Sequence, residues 1–262
     1  MAGATDRGED RHEDGVNPEC GEDPAGRGGL AGGGVHAARV VAASAVLVAL
    51  NWSYPRVMTR ALFIVDVQND FTEGGALGVD GGDAVAAAIT AHLARHAEEY
   101  DVIVASRDWH DGDGDNGGHF STSPDYIDSW PVHCVAGTLG ADYDPGLDTS
   151  AVTHHVKKGQ GIPAYSLFEG VTDAGETVAD ILTAHGVVEV DVAGIATDHC
   201  VRASALDAIA HGRRVRILTD LIAGVAPAPS QAALAELAHA GAELVATGDG
   251  DRPAADVGEG ER

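Results

Sequence analysis

From Arg60 onward the chain alternates between short, uninterrupted apolar runs and longer stretches whose apolar positions recur at helical spacing. "ALFIVDV" is apolar at nearly every position, the pattern of a strand buried on both faces. "GGDAVAAAITAHLARHAEEY" has the three- and four-residue spacing of a helix, with Asp83 suited to its first turn. The alternation continues through the strand "DVIVASRD", a more polar strand "AVTHHVKK" and the helix "ETVADILTAHG", which Gly186 stops. Next come the strand "VVEVDVAGIA", the helix "DHCVRASALDAIAHG" ending at Gly212, the strand "RRVRILTD", the helix "SQAALAELAHAG" and a last strand, "AELVAT". Short links between such elements predict an α/β fold, a three-layer αβα arrangement around a mostly parallel central sheet. Ligands in folds of this kind bind beyond the carboxyl ends of the strands.

One segment breaks the alternation. Trp109 to Ser150 is rich in Gly, Asp, Pro and His and has no clear period. A stretch of this length without regular structure inside a compact domain usually carries function.

The two ends read differently from the middle. Met1 to Val35 is charged and glycine-rich, with almost no large apolar residues, so it cannot bury enough surface to offset chain entropy. The apolar run that follows, "RVVAASAVLVALNW", is too short to span a bilayer and lacks the short basic segment that precedes a signal sequence. The expected organisation is therefore a disordered or mis-started leader at 1–57, a folded domain at 58–248 and a disordered tail at 249–262. A chain starting at Met58 is expected to match the full-length chain in melting temperature, size-exclusion profile and activity. Lost solubility, a large drop in melting temperature or membrane association of the full-length chain would contradict that.

Composition narrows the class. Of 262 residues, 44% are hydrophobic and only 5% aromatic, so Ala, Val and Leu must supply most of the core. A formal charge of −25 argues against nucleic acid and anionic membrane surfaces as partners. Three cysteines, Cys20, Cys134 and Cys200, form no even disulfide framework, which points to a reducing, cytoplasmic setting.

Candidate chemistry collects at the strand ends. Asp66 lies at the end of the first apolar run, where a carboxylate is costly unless paired. Asp108 and His110, two apart in "SRDWH", point to the same side of an extended chain. With His119 and His133 they form a donor set suited to zinc, iron or manganese. Lys157 and Lys158, the only lysines, end the third strand, and alternation lets only one of them face a site. Cys200 follows a strand and opens a helix, where free N–H groups and the macrodipole lower a thiol's pKa. A nearby lysine would lower it further, and a carboxylate could take the proton.

Together, "FIVDVQNDF", "SRDWH", "HFSTSPDY", "SWPVHC", "VKKG", "AYSLFEG" and "GIATDHCV" resemble the nicotinamidase/pyrazinamidase group of the isochorismatase-like cysteine hydrolases, from about Met58 to Thr247. The resemblance implies that fold, and Asp66, Lys158 and Cys200 as the catalytic residues. It implies an oxyanion hole at Ala196 and Cys200, after a cis Ile195–Ala196 peptide. Phe71, Trp130 and Tyr165 would line the substrate pocket. Asp108, His110, His119 and His133 would hold one divalent metal ion. The spacing from His110 to His119 is longer than usual for the group. The implied activity is hydrolysis of nicotinamide to nicotinate and ammonia, and of pyrazinamide to pyrazinoate, through a cysteine thioester. The implied partner is this small molecule, with a monomer or small homo-oligomer as the working form. The alternative is a related amidohydrolase acting on a carbamoyl or ureido substrate, although those relatives generally lack the Asp-x-His metal set. A dinucleotide-binding oxidoreductase has no support, since no G-x-G-x-x-G follows the first strand.

Overall fold

The computed structural model describes residues 58–248. The expected leader at 1–57 and tail at 249–262 lie outside them. Within the described chain, six strands form one sheet: β1 (Arg60–Val65), β2 (Val102–Asp108), β3 (His154–Lys158), β4 (Glu189–Ile195), β5 (Arg214–Ala223) and β6 (Glu243–Val245). Their order is β3-β2-β1-β4-β5-β6, and every neighbouring pair is parallel. The sheet is thus parallel throughout. The chain steps outward from β1 to β3, returns to place β4 beside β1, and then steps outward the other way. The crevice for a ligand in such a sheet lies at that reversal, at the strand carboxyl ends.

The apolar run of β1 is explained by what covers it. Ala61, Phe63 and Val65 enter one core, and Leu62 and Ile64 enter another on the opposite face. Helix α1 (Gly82–His96) closes the second core through Val85, Ile89 and Leu93. Helices α2 (Val178–Ala184), α3 (Arg202–Ala210) and α4 (Pro227–Ala240) close the first through Ile181, Leu182, Ala205, Ala208 and Leu237. These are the three layers the pattern predicts. Gly186 and Gly212 sit at φ 61° and 74° just past α2 and α3, where a side chain would be strained.

Three elements differ from expectation. Strand β5 continues through Leu221, Ile222 and Ala223 rather than stopping at Asp220, because Ile222 and Ala223 pair with the end of β4 after an irregularity in register. Helix α4 starts at Pro227, since proline lacks only an N–H that a first turn leaves unpaired anyway. The helix expected from Asp198 begins at Arg202, and a π-helical turn, Thr197–Val201, precedes it. Among the described residues no helix is long and apolar enough to cross a membrane.

Candidate active site

Four successive strands deliver their last residues to one place. Asp66 follows β1 in a left-handed conformation, φ 47°, which aspartate tolerates better than most residues. Asp108 ends β2 and Lys158 ends β3, paired in register with each other. Beyond β4 come the cis Ile195–Ala196 peptide and the π-helical turn that carries Cys200. Lys158 is wholly buried, with Nζ 2.9 Å from Asp66 Oδ2, 3.7 Å from Cys200 Sγ and hydrogen-bonded to Asp108 Oδ1. Lys157 points the other way, 2.7 Å from Asp173 and over the Trp109 ring. Strand alternation decides between the two lysines once the register is known.

A buried lysine is tolerable here because two carboxylates offset a desolvation cost of several kcal/mol per ion. Burial opposes the Lys158 charge, yet Asp108 and Asp66 hold its pKa well above the usual range. Burial likewise opposes the Asp108 charge, but Lys158, His110 and His133 hold that carboxyl well below its usual range. For Asp66 burial prevails over Lys158 and the pKa is raised. Cys200 departs from expectation: burial, with Asp66 and Asp108 nearby, pushes its thiol well above the usual value despite Lys158. The physical reason is position. The sulfur lies in the π-helical turn, two residues short of α3, and only 7% of the residue is exposed. The residue therefore rests as a thiol with the Asp66 carboxyl beside it. Sγ, one carboxylate oxygen of Asp66 and one of Asp108 all lie within 4.8 Å of one another.

Three buried imidazoles form the neighbouring cluster. Ring nitrogens of His110, His119 and His133 lie within 4.8 Å of one another. His110 Nδ1 meets the Gly159 carbonyl at 2.8 Å and His133 Nδ1 meets the Pro131 carbonyl at 2.7 Å. A carbonyl only accepts, so each Nδ1 carries a proton and Nε2 is the ring nitrogen turned toward Asp108. Asp108 Oδ2 lies 3.6 Å from His110 Nε2 and 3.8 Å from His133 Nε2. His110 Nε2 and both nitrogens of His119 are buried without a hydrogen-bond partner. Burial, reinforced by His110 and His133, lowers the His119 pKa to about 4, so this ring is neutral and ready to ligate. Buried imidazole nitrogens left without hydrogen-bond partners beside the Asp108 carboxylate fit a divalent cation.

The long spacing before His119 is absorbed by Asn116, a residue the motifs did not single out. Its side chain accepts from Asp111 N and Gly161 N and donates to the Asp111 carbonyl, folding the insert back. His119 then comes to rest with its ring 4.7 Å from that of His110.

Both clusters open into one cavity of about 260 Å³, which Phe71, Trp130 and Tyr165 line together with His119, Ala196 and Cys200. Trp130 Nε1 donates to Tyr165 Oη at 3.1 Å. Sequence reasoning missed His199, which stacks on Tyr165 and meets the Trp130 edge. It also missed Gln68, whose amide bonds both the N–H and the carbonyl of Asp108, and Ser106, which bonds Asp66. The one available signal for Ser106 is its place two residues before Asp108, on the same strand face.

Comparison with known proteins agrees with this architecture. The isochorismatase domain family matches residues 60–249. A nicotinamidase/pyrazinamidase of Mycobacterium tuberculosis is 54% identical over 186 residues, covering 71% of this chain and 98% of that protein. The crystal structure of a pyrazinamidase of Pyrococcus horikoshii in complex with zinc superposes with a TM-score of 0.61 at 39% identity, covering 71% of this chain and 98% of that one. The crystal structure of PnC1 from L. infantum in complex with nicotinate gives a TM-score of 0.64 at 36% identity, covering 74% and 95%.

Proposed function

The chain belongs to the isochorismatase domain family, and from that premise we propose that it is a nicotinamidase that hydrolyses nicotinamide to nicotinate and ammonia and acts likewise on pyrazinamide. The observation that carries this reading is one aromatic-lined cavity that Cys200, backed by Lys158 and Asp66, shares with His119 and His133 of the three-histidine cluster. The first group suits acyl transfer through a thioester, and the second suits a heteroaromatic nitrogen at the far end of the same substrate.

Asp108, His110, His119 and His133 would hold one divalent ion, zinc, iron or manganese, which when bound supplies Lewis acidity and a fixed anchor for the ring. The remaining chemistry belongs to the protein. Phe71, Trp130 and Tyr165 hold the ring and exclude water. Cys200 passes its proton to Asp66 and its sulfur bonds to the carboxamide carbon. Backbone N–H groups of Ala196 and Cys200 receive the oxyanion. Asp66 then gives the proton to the departing nitrogen, the C–N bond breaks and ammonia leaves. Water next loses a proton to Asp66, attacks the thioester and displaces the sulfur, which recovers that proton. A carboxyl with a raised pKa is matched to this double duty. Lys158 stays charged throughout and keeps Asp66 and Asp108 from repelling each other.

Ammonia release from nicotinamide, pyrazinamide and an N-carbamoyl amino acid tests the reading. Turnover of the first two is expected, and exclusive turnover of the third would assign the chain to the carbamoyl-hydrolysing alternative. Purified protein is also expected to hold about one divalent ion per chain, in keeping with a single four-residue ligand set. Exhaustive chelation should lower ammonia release, and added zinc, manganese or ferrous ion should restore it. Unchanged activity of metal-free protein would remove the metal from the mechanism.

A further inference from the structure

Asp66 leaves β1 at φ 47° and carries a carboxylate that can rotate about two bonds, yet the proposed chemistry needs one oxygen held toward Cys200. Among the described residues, the single group outside the lysine–cysteine cluster that hydrogen-bonds it is the hydroxyl of Ser106, on β2. Ser106 Oγ donates to Asp66 Oδ1 at 2.7 Å and accepts from the Asp66 backbone N–H at 3.3 Å. Both residues are fully buried. One hydroxyl thus ties down the turn and the carboxylate together. It occupies Oδ1, and Oδ2 is left to the Lys158 ammonium, 2.9 Å away.

We propose that Ser106 is a positioning residue for the amidase reaction, fixing the rotation of the Asp66 carboxylate so that Oδ2 faces Lys158 and the Cys200 thiol. The inference rests on the reading of Asp66 as the base. It follows that the hydroxyl contributes to turnover and not to substrate affinity, because Ser106 does not line the cavity. It also follows that the hydroxyl contributes to thiol activation before any substrate is bound.

The test compares Ser106→Ala with Ser106→Thr, and Ser106→Val with Ser106→Thr, since valine and threonine differ only in methyl for hydroxyl. Losing a hydrogen bond to a charged group is expected to lower kcat on the order of tenfold in the Ala and Val variants, with KM little changed. Threonine should recover most of the loss. Should Ser106→Ala melt early, the Val–Thr pair still isolates the hydroxyl. The second readout is the rate at which iodoacetamide alkylates Cys200, followed by peptide mass spectrometry without substrate. It should slow in Ala and Val and recover in Thr. If wild type fails to release ammonia from nicotinamide, the substrate reading falls, while the alkylation rates still judge Ser106. Equal loss in all three variants, a rise in KM at constant kcat, or unchanged alkylation in Ala and Val would overturn the proposal.

Discussion

Cys200→Ala is expected to reduce ammonia release by at least about four orders of magnitude, as loss of a covalent nucleophile does elsewhere. No other described sulfur can substitute. Cys134 is buried with its Sγ 3.9 Å from the Gly140 carbonyl, its backbone N–H is held by Asp70, and burial pushes its thiol well above the usual value. The substitution should leave the fold nearly intact. It deletes one sulfur beside an existing cavity, and Lys158 keeps both carboxylate partners, so a cost of about 1 kcal/mol is expected. Ammonia release and a thermal melt on the same preparation decide the matter. Near-normal turnover would show that the nucleophile lies elsewhere, and a collapsed melt would mean that the sulfur chiefly fills space.

Lys158→Met is expected to abolish turnover and also to destabilise the fold by roughly 3–5 kcal/mol at neutral pH, the cost of breaking a buried ion pair. Methionine keeps the length and the burial but removes the charge, leaving Asp66 and Asp108 to face each other unpaired. The pH dependence gives the sign. In the parent protein Asp108 is held low, so its share of stability is complete above its unfolded pKa of about 3.9 and is lost only as pH falls below it. In the variant no cation remains, and Asp66, already raised by burial, rises further and takes a proton. A carboxyl raised in the folded state favours folding as pH falls. The gap in melting temperature between parent and variant should therefore narrow from pH 8 to pH 5, measured on chelated protein so that no bound ion supplies charge. A gap that stays constant or widens on acidification would refute the ion-pair account.

The parts of this site legible in the sequence were those marked by a local pattern. An unbroken apolar run ending in Asp66, a strand ending in Asp108 and another ending in Lys158 place three side chains at one edge of a parallel sheet, whatever the details. What local pattern cannot supply is a neighbour forty residues away. Ser106 and Gln68 are ordinary polar residues until β1 and β2 are laid side by side, and only then does each face an aspartate. Asn116 is one polar residue among many in a Gly- and Asp-rich loop, and its importance comes from Gly161, which it reaches across the fold. The state of Cys200 was misread for a related reason. Sequence reveals a helix start near the sulfur but not the burial around it, and burial decides the proton. The early start of α4 was hidden by Pro227 and Pro229, which resemble a loop although the first helical turn accepts proline.

Asp108 turns one oxygen to Lys158 and the other toward His110 and His133. In the proposed mechanism ion binding and proton chemistry are consequently welded at this residue, and an engineer cannot adjust them separately there. Exchanging Asp108 for histidine to court a softer ion would strip the lysine of a counter-charge in the same stroke. The freedom lies at His119, which among the described residues no carboxylate within hydrogen-bonding distance claims and which the loop from Asp111 to Gly118 delivers. A designer seeking a different ion should therefore redraw the loop from Asp111 to Gly118 and leave the strand ends alone.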